Sequence, residues 1–387
     1  MKITRRLKLP DSVRLHRYKS LPEQGPKILF FSGGSALNKI SRVLKSYTHN
    51  SVHLVTPFDS GGSSAHLRNE FDMPAVGDLR SRLMALADET VLGQPEVYEL
   101  FTYRFSKSVD KSLLEEEFDQ LVHGMHPLIL PIPDPMKSLI QTQLSVTKER
   151  IGDMFDLKGA SIGNLIIAGG YLNNQQQLDP IVFLFSRLVK TLGQVKTVVD
   201  TSLHLGTHLE NGNTILGQHN LTGKETQPLQ SPIGKIWLND GLDEVCETSV
   251  TLSEDRKADI LDADLICFPP GSFFSSLVAN LLPDGVASAV KSNPNPKIYI
   301  PNLGVDPEQL GWSLMKRVRW LANLNDSGCV HGKALDILLM DEHYDYGNLD
   351  VKELNELGVS VVKTPLISTN QNKYDEVLVN EALLSMT

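Results

Sequence analysis

Cysteine is scarce in this chain: three among 387 residues, Cys246, Cys267 and Cys329, with no CxxC pairing. So sparse and odd a set excludes a disulfide framework and reads as packing cysteines in a reducing compartment. Long apolar runs are missing too. No stretch approaches the roughly 18 apolar residues of a spanning helix, and the N-terminal segment has charge but no apolar signal core. The expectation is a soluble, cytoplasmic protein with no membrane partner, so the glycosylation patterns at Asn220-Leu-Thr222 and Asn325-Asp-Ser327 are discounted. An excess of positive charge is lacking as well. With 37 Lys+Arg against 46 Asp+Glu the net charge is −9, which disfavours nucleic acid as a partner because such binding needs a basic field to release counterions.

That sum hides an asymmetry. Residues 1–19 hold Lys2, Arg5, Arg6, Lys8, Arg14, Arg17 and Lys19 against Asp11, a net of +6 that leaves −15 for the rest. A basic extension, residues 1–26, precedes an acidic body. The body is 41% apolar and 21% charged over the whole chain, enough for a large core and unlike a disordered chain.

Lys27 to Phe31 is a continuous apolar run stopped by Ser32-Gly33-Gly34, the pattern of a strand buried on both faces. A helix with Leu37, Ile40, Val43 and Leu44 at helical spacing follows, then a second strand, Val52 to Thr56. Strand, turn, helix, strand is the opening of a doubly wound α/β domain. From about 73 to 158 the apolar spacing is helical, predicting a helical insert. Strand patterns return at 195–199, 215–217, 235–238, 264–268, 297–300 and 334–340, and 374–384 closes as an amphipathic helix.

Three strand ends deliver glycine- and serine-rich turns: Ser32-Gly-Gly-Ser35, Asp59-Ser-Gly-Gly-Ser-Ser64 and Pro270-Gly-Ser272. Beyond the carboxyl ends of parallel strands, helix N-termini present N–H groups to anions, and glycine lets the backbone approach closely. Each turn alone is equally a serine-capped βα turn; the three together point to one crevice for a phosphorylated ligand. Neither G-x-G-x-x-G nor G-x-x-x-x-G-K-[ST] is present, which argues against a dinucleotide dehydrogenase and a P-loop NTPase.

Asp59 and Asp78 adjoin glycine turns and suit Mg²⁺ bridging phosphate oxygens; otherwise they cap helices. Arg68 and Arg80 are placed to clamp phosphate or to form surface pairs. Asn164, in Ser161-Ile-Gly-Asn-Leu165, fits a hydrogen bond to a base or sugar, or a buried helix cap. Period two puts His204, His208 and Glu210 on one strand face, a metal site or a solvated face. No G-x-S-x-G motif and no cysteine beside a histidine is present, so covalent catalysis is not indicated.

Taken in order, Gly33-Gly34-Ser35, Asp59-Ser-Gly-Gly-Ser-Ser-x-x-Leu-Arg68, Gly77-Asp-x-Arg80, Ser161-x-Gly-Asn-Leu165 and Pro270-Gly-Ser-x-x-x-Ser276 to Asn280-Leu281-Leu282 resemble the CofD-like family, over roughly 27–370. That family includes 2-phospho-L-lactate transferase and the YvcK-type gluconeogenesis factors. The resemblance implies a single α/β domain over 27–387, a three-layer α/β/α Rossmann-like fold with a mainly parallel sheet. It also implies a nucleotide diphosphate at the strand ends, Mg²⁺ and a homodimer. DSGGSS with the following Leu-Arg is similar to the YvcK branch, whose members bind UDP-sugars and act in cell-envelope and carbon-metabolism control. The first turn, Ser-Gly-Gly-Ser-Ala where that branch has Gly-Gly-Gly-Thr-Gly, and the basic extension both depart from it.

The expected ligand set is Gly33, Gly34, Ser35, Gly61, Gly62, Ser63, Ser64, Arg68, Arg80, Asn164, Gly271 and Ser272 for the nucleotide, with Asp59 and Asp78 for Mg²⁺. The expected function is nucleotide-sugar binding with a regulatory role. The alternative is an Mg²⁺-dependent transferase moving a phospho-organic group from a nucleoside-diphosphate-linked donor.

Overall fold

The apolar run after Lys27 forms β1 (Ile28–Ser32), buried along its whole length. The structure, a computed structural model, describes residues 7–90, 93–223, 227–325, 332–368 and 373–387. Cys329 and the cations Lys2, Arg5 and Arg6 lie outside the described residues.

After β1 come β2 (Val52–Val55), β3 (Gln194–Thr197), β4 (His204–Leu209), β5 (Thr214–Leu216), β6 (Ile233–Asn239), β7 (Glu247–Thr248), β8 (Leu265–Phe268), β9 (Lys297–Tyr299), β10 (Ile337–Asp341) and β11 (Ser360–Thr364). Among the described residues seven of these form one sheet in the order β11-β10-β9-β8-β1-β2-β3, every pairing parallel. This is the expected α/β architecture. β1, β2 and β8 are buried at every position, as strands covered by helices on both faces must be. The chain runs outward from β1 through β2 to β3, then returns to β8 on the other side of β1 and runs outward again. The order therefore reverses between β1 and β8, the place where open α/β sheets form a ligand crevice.

The sequence pattern did not foresee a second sheet. β5, β4, β6 and β7 pair antiparallel in that order, between β3 and β8 along the chain. These strands are short and broken by Asn and Gly turns, so their pairing, which local periodicity does not encode, emerges only in three dimensions.

The helices that position the site are α1 (Ser12–Ser20), α2 (Asn38–Leu44), α3 (Gly62–Phe71), α4 (Gly77–Leu86), α5 (Pro95–Thr102), α6 (Lys111–Val122), α7 (Met136–Arg150), α8 (Ile162–Asn173) and α9 (Leu178–Leu188). From α3 to α9 they fill the connection between β2 and β3, and the expected helical stretch 73–158 lies within it. α8 is apolar all round and buried from Ile162 to Tyr171, as befits a helix surrounded by others. The described part of the basic extension, residues 7–26, folds back on the body: Leu15 of α1 is buried with Ala382 and Leu383 of the helix Glu376–Ser385, and the Asp11 amide donates to Ser385 Oγ at 2.8 Å. Among the described residues no helix is long and apolar enough to cross a membrane.

Candidate functional site

β1, β2 and β8 are neighbours in the sheet, so their carboxyl-end turns must emerge side by side. They enclose a cavity of about 530 Å³. The first turn contributes Gly33, Gly34 and Ser35, the second Asp59, Gly61, Gly62 and Ser64, the third Gly271 and Ser272; α4 adds Asp78 and Arg80, and α8 adds Asn164. The side chain of Ser63, in α3, lies outside the described residues.

The three turns meet most closely at Gly33. A Cβ there would stand 2.7 Å from Thr56 Cγ2, 3.0 Å from Ser276 Oγ and 3.1 Å from Asp78 Oδ2, so only glycine lets the strand ends come together. The next residue, Gly34, has φ +56 and is held on both sides of its peptide. Its N–H donates to Asp78 Oδ2 at 2.6 Å, and its carbonyl accepts from Arg82 Nη2 at 3.3 Å. Arg82 itself is 1% exposed and reaches Ser41 Oγ with its other arm, at 2.8 Å. It places a positive charge directly beneath the turn.

Arg80 is the principal cation of the wall. Its Nε donates to Asn164 Oδ1 at 2.9 Å and Nη1 to the Phe101 carbonyl at 3.4 Å. Burial, and then the like charge of Arg104, lower its pKa to about 10, with Asp78 opposing. It remains charged at neutral pH, under repulsion that an anion in the cavity would relieve. Arg104, whose Nη1 donates to the Gly159 carbonyl at 3.1 Å, also lines the cavity. The bond to Arg80 turns the Asn164 oxygen away from solvent and leaves its Nδ2 without a partner, though Asn164 is 1% exposed and lies on the wall. A buried donor without a protein partner, beside a cavity, fits a ligand acceptor.

The hard-oxygen donors Asp59 and Asp78 line the cavity with serine hydroxyls, a set that suits Mg²⁺ held by one or two carboxylates plus ligand phosphates. Asp59 Oδ1 accepts from the Gly61 amide at 3.0 Å.

The sequence matches the family described as 2-phospho-L-lactate transferase CofD over residues 28–367. The chain belongs to the CofD family. A relative from Thermoanaerobacterium thermosulfurigenes is 26% identical over 381 residues, covering 94% of this chain and 97% of the relative. The gluconeogenesis factor of Bacillus subtilis strain 168 is 26% identical over 361 residues, covering 89% of this chain and 92% of its own. A crystal structure of a UPF0052 family protein from Bacillus halodurans shares the fold, with a TM-score of 0.68 at 22% identity, covering 93% of this chain and 99% of that one.

One expectation needs correcting within this CofD chain. Arg68 is not on the cavity wall. It is 4% exposed and donates to the carbonyls of Asp59 at 3.1 Å and Leu203 at 2.7 Å, so it pins the second turn to the start of β4 from behind. Lying nearly two turns into α3, it faces the small sheet, which local sequence did not reveal. Arg68→Met leaves two carbonyls without their donor and is expected to cost about 2–4 kcal/mol; an unchanged Tm in thermal unfolding would show that these bonds carry no weight.

Of the two readings open for His204, His208 and Glu210, the structure does not bring the three together as metal ligands. His204 Nε2 lies 3.2 Å from Arg68 Nη2, and burial with that neighbouring charge brings its pKa down to about 4. His208 rests against Trp237 at 4.4 Å between ring centres and bonds Thr214 Oγ1. An irregularity in the pairing between His208 and Leu209 breaks the period before Glu210. No group of three or more metal-ligating side chains assembles among the described residues.

Four amides at the third turn are already taken by protein acceptors. The Gly271 N–H donates to Asn302 Oδ1, the Phe273 N–H to Asp306, and those of Phe274 and Ser275 to Glu308. What this turn turns toward the cavity is a serine set, Ser272, Ser275 and Ser276. The expected ligand set did not include Arg104, Gln218, His219, Thr222, Ser275 and Ser276, which also line the cavity. The two serines follow Pro270-Gly-Ser272 so closely that the motif itself was a signal for them. Gln218, His219 and Thr222 arrive from the loop after β5, far along the chain, and no local pattern marks them.

Proposed function

We propose that this protein binds a nucleoside diphosphate of the UDP-sugar type with Mg²⁺ and reports its occupancy in the control of carbon or cell-envelope metabolism. The observation that carries this reading is the convergence, at the reversal point of the sheet, of three glycine-serine turns with Arg80, Arg104 and the unpartnered Asn164 amide. Asp59 and Asp78 would hold the Mg²⁺, which would shield the phosphate charge within an acidic body. Relatives named gluconeogenesis factor agree with a regulatory role.

A thermal-shift series with UDP-glucose, UDP, GDP and GTP, with and without Mg²⁺, tests it. A ligand at a hundredfold excess over Kd stabilises by about 2.7 kcal/mol, so a clear rise in Tm is expected with a UDP-sugar; no shift with any nucleotide refutes the binding. Asp59→Asn is expected to remove the Mg²⁺ dependence of that shift, and a retained dependence would move the metal elsewhere.

One observation favours a second reading, a transferase. A further cavity of about 850 Å³ adjoins the first and shares Ser35, Ala36, Gly271 and Ser272 with it, and is lined also by Lys39 and Asn302. It is room for an acceptor beside a bound donor. Phosphoryl-type transfer needs positioning and charge stabilisation but no covalent residue. Release of nucleoside monophosphate from a diphosphate-linked donor, only when an acceptor is added, would establish that reading.

A further inference from the structure

Behind the serine wall of the cavity stand two carboxylates that the binding reading does not use. Phe273–Val278 is a single π-helical stretch, and its first amides are capped from the loop at 306–308. The Phe273 N–H donates to Asp306 Oδ2 at 3.0 Å, and the Phe274 and Ser275 N–H groups donate to Glu308 Oε2 at 3.1 and 2.8 Å. The Ser275 hydroxyl donates to Glu308 Oε1. Glu308 is 1% exposed. Among the described residues no cation pairs with it. The charged and titratable groups around it are Asp306 on its own loop and, beside Asp306, Arg317 from the helix Leu314–Ala322 and Tyr299 from β9; Arg317 Nη1 donates to the Tyr299 hydroxyl at 3.2 Å.

Ser275 therefore has two faces: it lines the cavity, yet its one hydroxyl proton points away, to Glu308. We propose, resting on the polyanion-binding reading above, that Glu308 is a positioning residue that takes up a proton when the cavity fills, and so converts Ser275 into a donor to the ligand. With Glu308 ionised, Ser275 O–H donates to Oε1. A proton from solvent placed on Oε1 reverses that bond: Oε1–H donates to Ser275 Oγ, and the hydroxyl hydrogen is released toward the cavity. The Oε2 bonds from the Phe274 and Ser275 amides are kept in both states. The driving force is like-charge repulsion, since a diphosphate on one side of a thin turn disfavours an ionised carboxylate buried on the other. The group is already poised for this, because burial, and then Asp306, push Glu308 up to about 7.

The sign follows from linkage. Binding that takes up a proton weakens as pH rises through the titration range, by about tenfold for each unit by which the ligand raises the carboxyl pKa. The test is calorimetry of the full chain with UDP-glucose and Mg²⁺ between pH 6 and 8.5, in buffers of different ionisation enthalpy; UDP-glucose has no phosphate that titrates in that range. Uptake of a fraction of a proton, greatest just above pH 7, and a Kd that rises severalfold to pH 8.5 are expected. Glu308→Gln should abolish the uptake and flatten the profile. Ser275→Ala, which leaves the carboxyl in place and removes the hydroxyl, should weaken binding most at low pH; it serves as the check if the glutamine variant does not fold. Zero uptake in the unaltered protein overturns the proposal. Uptake that survives Glu308→Gln also overturns it. An absence of any heat with UDP-glucose at every pH instead overturns the binding reading on which the proposal stands.

Discussion

Replacing Arg80 by Met is expected to raise the Kd for UDP-glucose about 10- to 150-fold, the equivalent of the roughly 1.5–3 kcal/mol carried by hydrogen bonds to a charged group. Arg80 lines the cavity, holds the Asn164 carboxamide by its oxygen, and bears a charge that Arg104 strains and Asp78 only partly offsets. The substitution therefore removes a cation from the wall and also frees the Asn164 side chain that the guanidinium orients. Arg80→Lys keeps the charge but lacks the planar fork, so an intermediate loss is expected. Calorimetric titration of both variants, at a temperature where circular dichroism shows each folded, decides the matter. Wild-type affinity in Arg80→Met would remove Arg80 from the site.

Gly33→Ala is expected to cost about 1–3 kcal/mol of stability through overpacking and to abolish tight nucleotide binding, because the added methyl group lands where three strand ends close. Its nearest neighbour would be Thr56 Cγ2 at 2.7 Å, and Thr56, just beyond β2, is 1% exposed with little freedom to yield. The double variant Gly33→Ala with Thr56→Ser removes the obstructing methyl and is expected to recover part of the loss. Full recovery is not expected, since Ser276 Oγ and Asp78 Oδ2 would still lie 3.0 and 3.1 Å away. Denaturant midpoints of the two single variants and the double variant measure the coupling. Simple additivity would mean that Gly33 is required for a reason other than this crowding.

Much of the site was legible because its parts are local. A buried apolar run ending in glycines marks the carboxyl end of a central strand, and the residues at 33–35, 59–64 and 271–272 each announce such an end without reference to the rest of the chain. The roles of individual side chains were less legible. Arg68 and Arg80 look alike in sequence, each within a short helix that opens on a glycine, yet one faces the small sheet and the other the cavity. The direction of a helix face depends on what it packs against. The third turn likewise reads as an anion-binding helix start, but the loop at 302–308, about 30 residues further on, supplies carboxylates and an amide that occupy the N–H groups of Gly271, Phe273, Phe274 and Ser275.

Sequence by itself determined the class of the fold, the identity of the turns and the family, since these depend on hydrophobic period, glycine placement and short-range order. Tertiary structure alone decided that β1, β2 and β8 are neighbours, that the small antiparallel sheet brings His219 and Gln218 to the same cavity, and that Glu308 lies behind Ser275. Those facts rest on pairings between residues tens to hundreds of positions apart, whose free energy comes from burial and hydrogen bonding that no single segment contains.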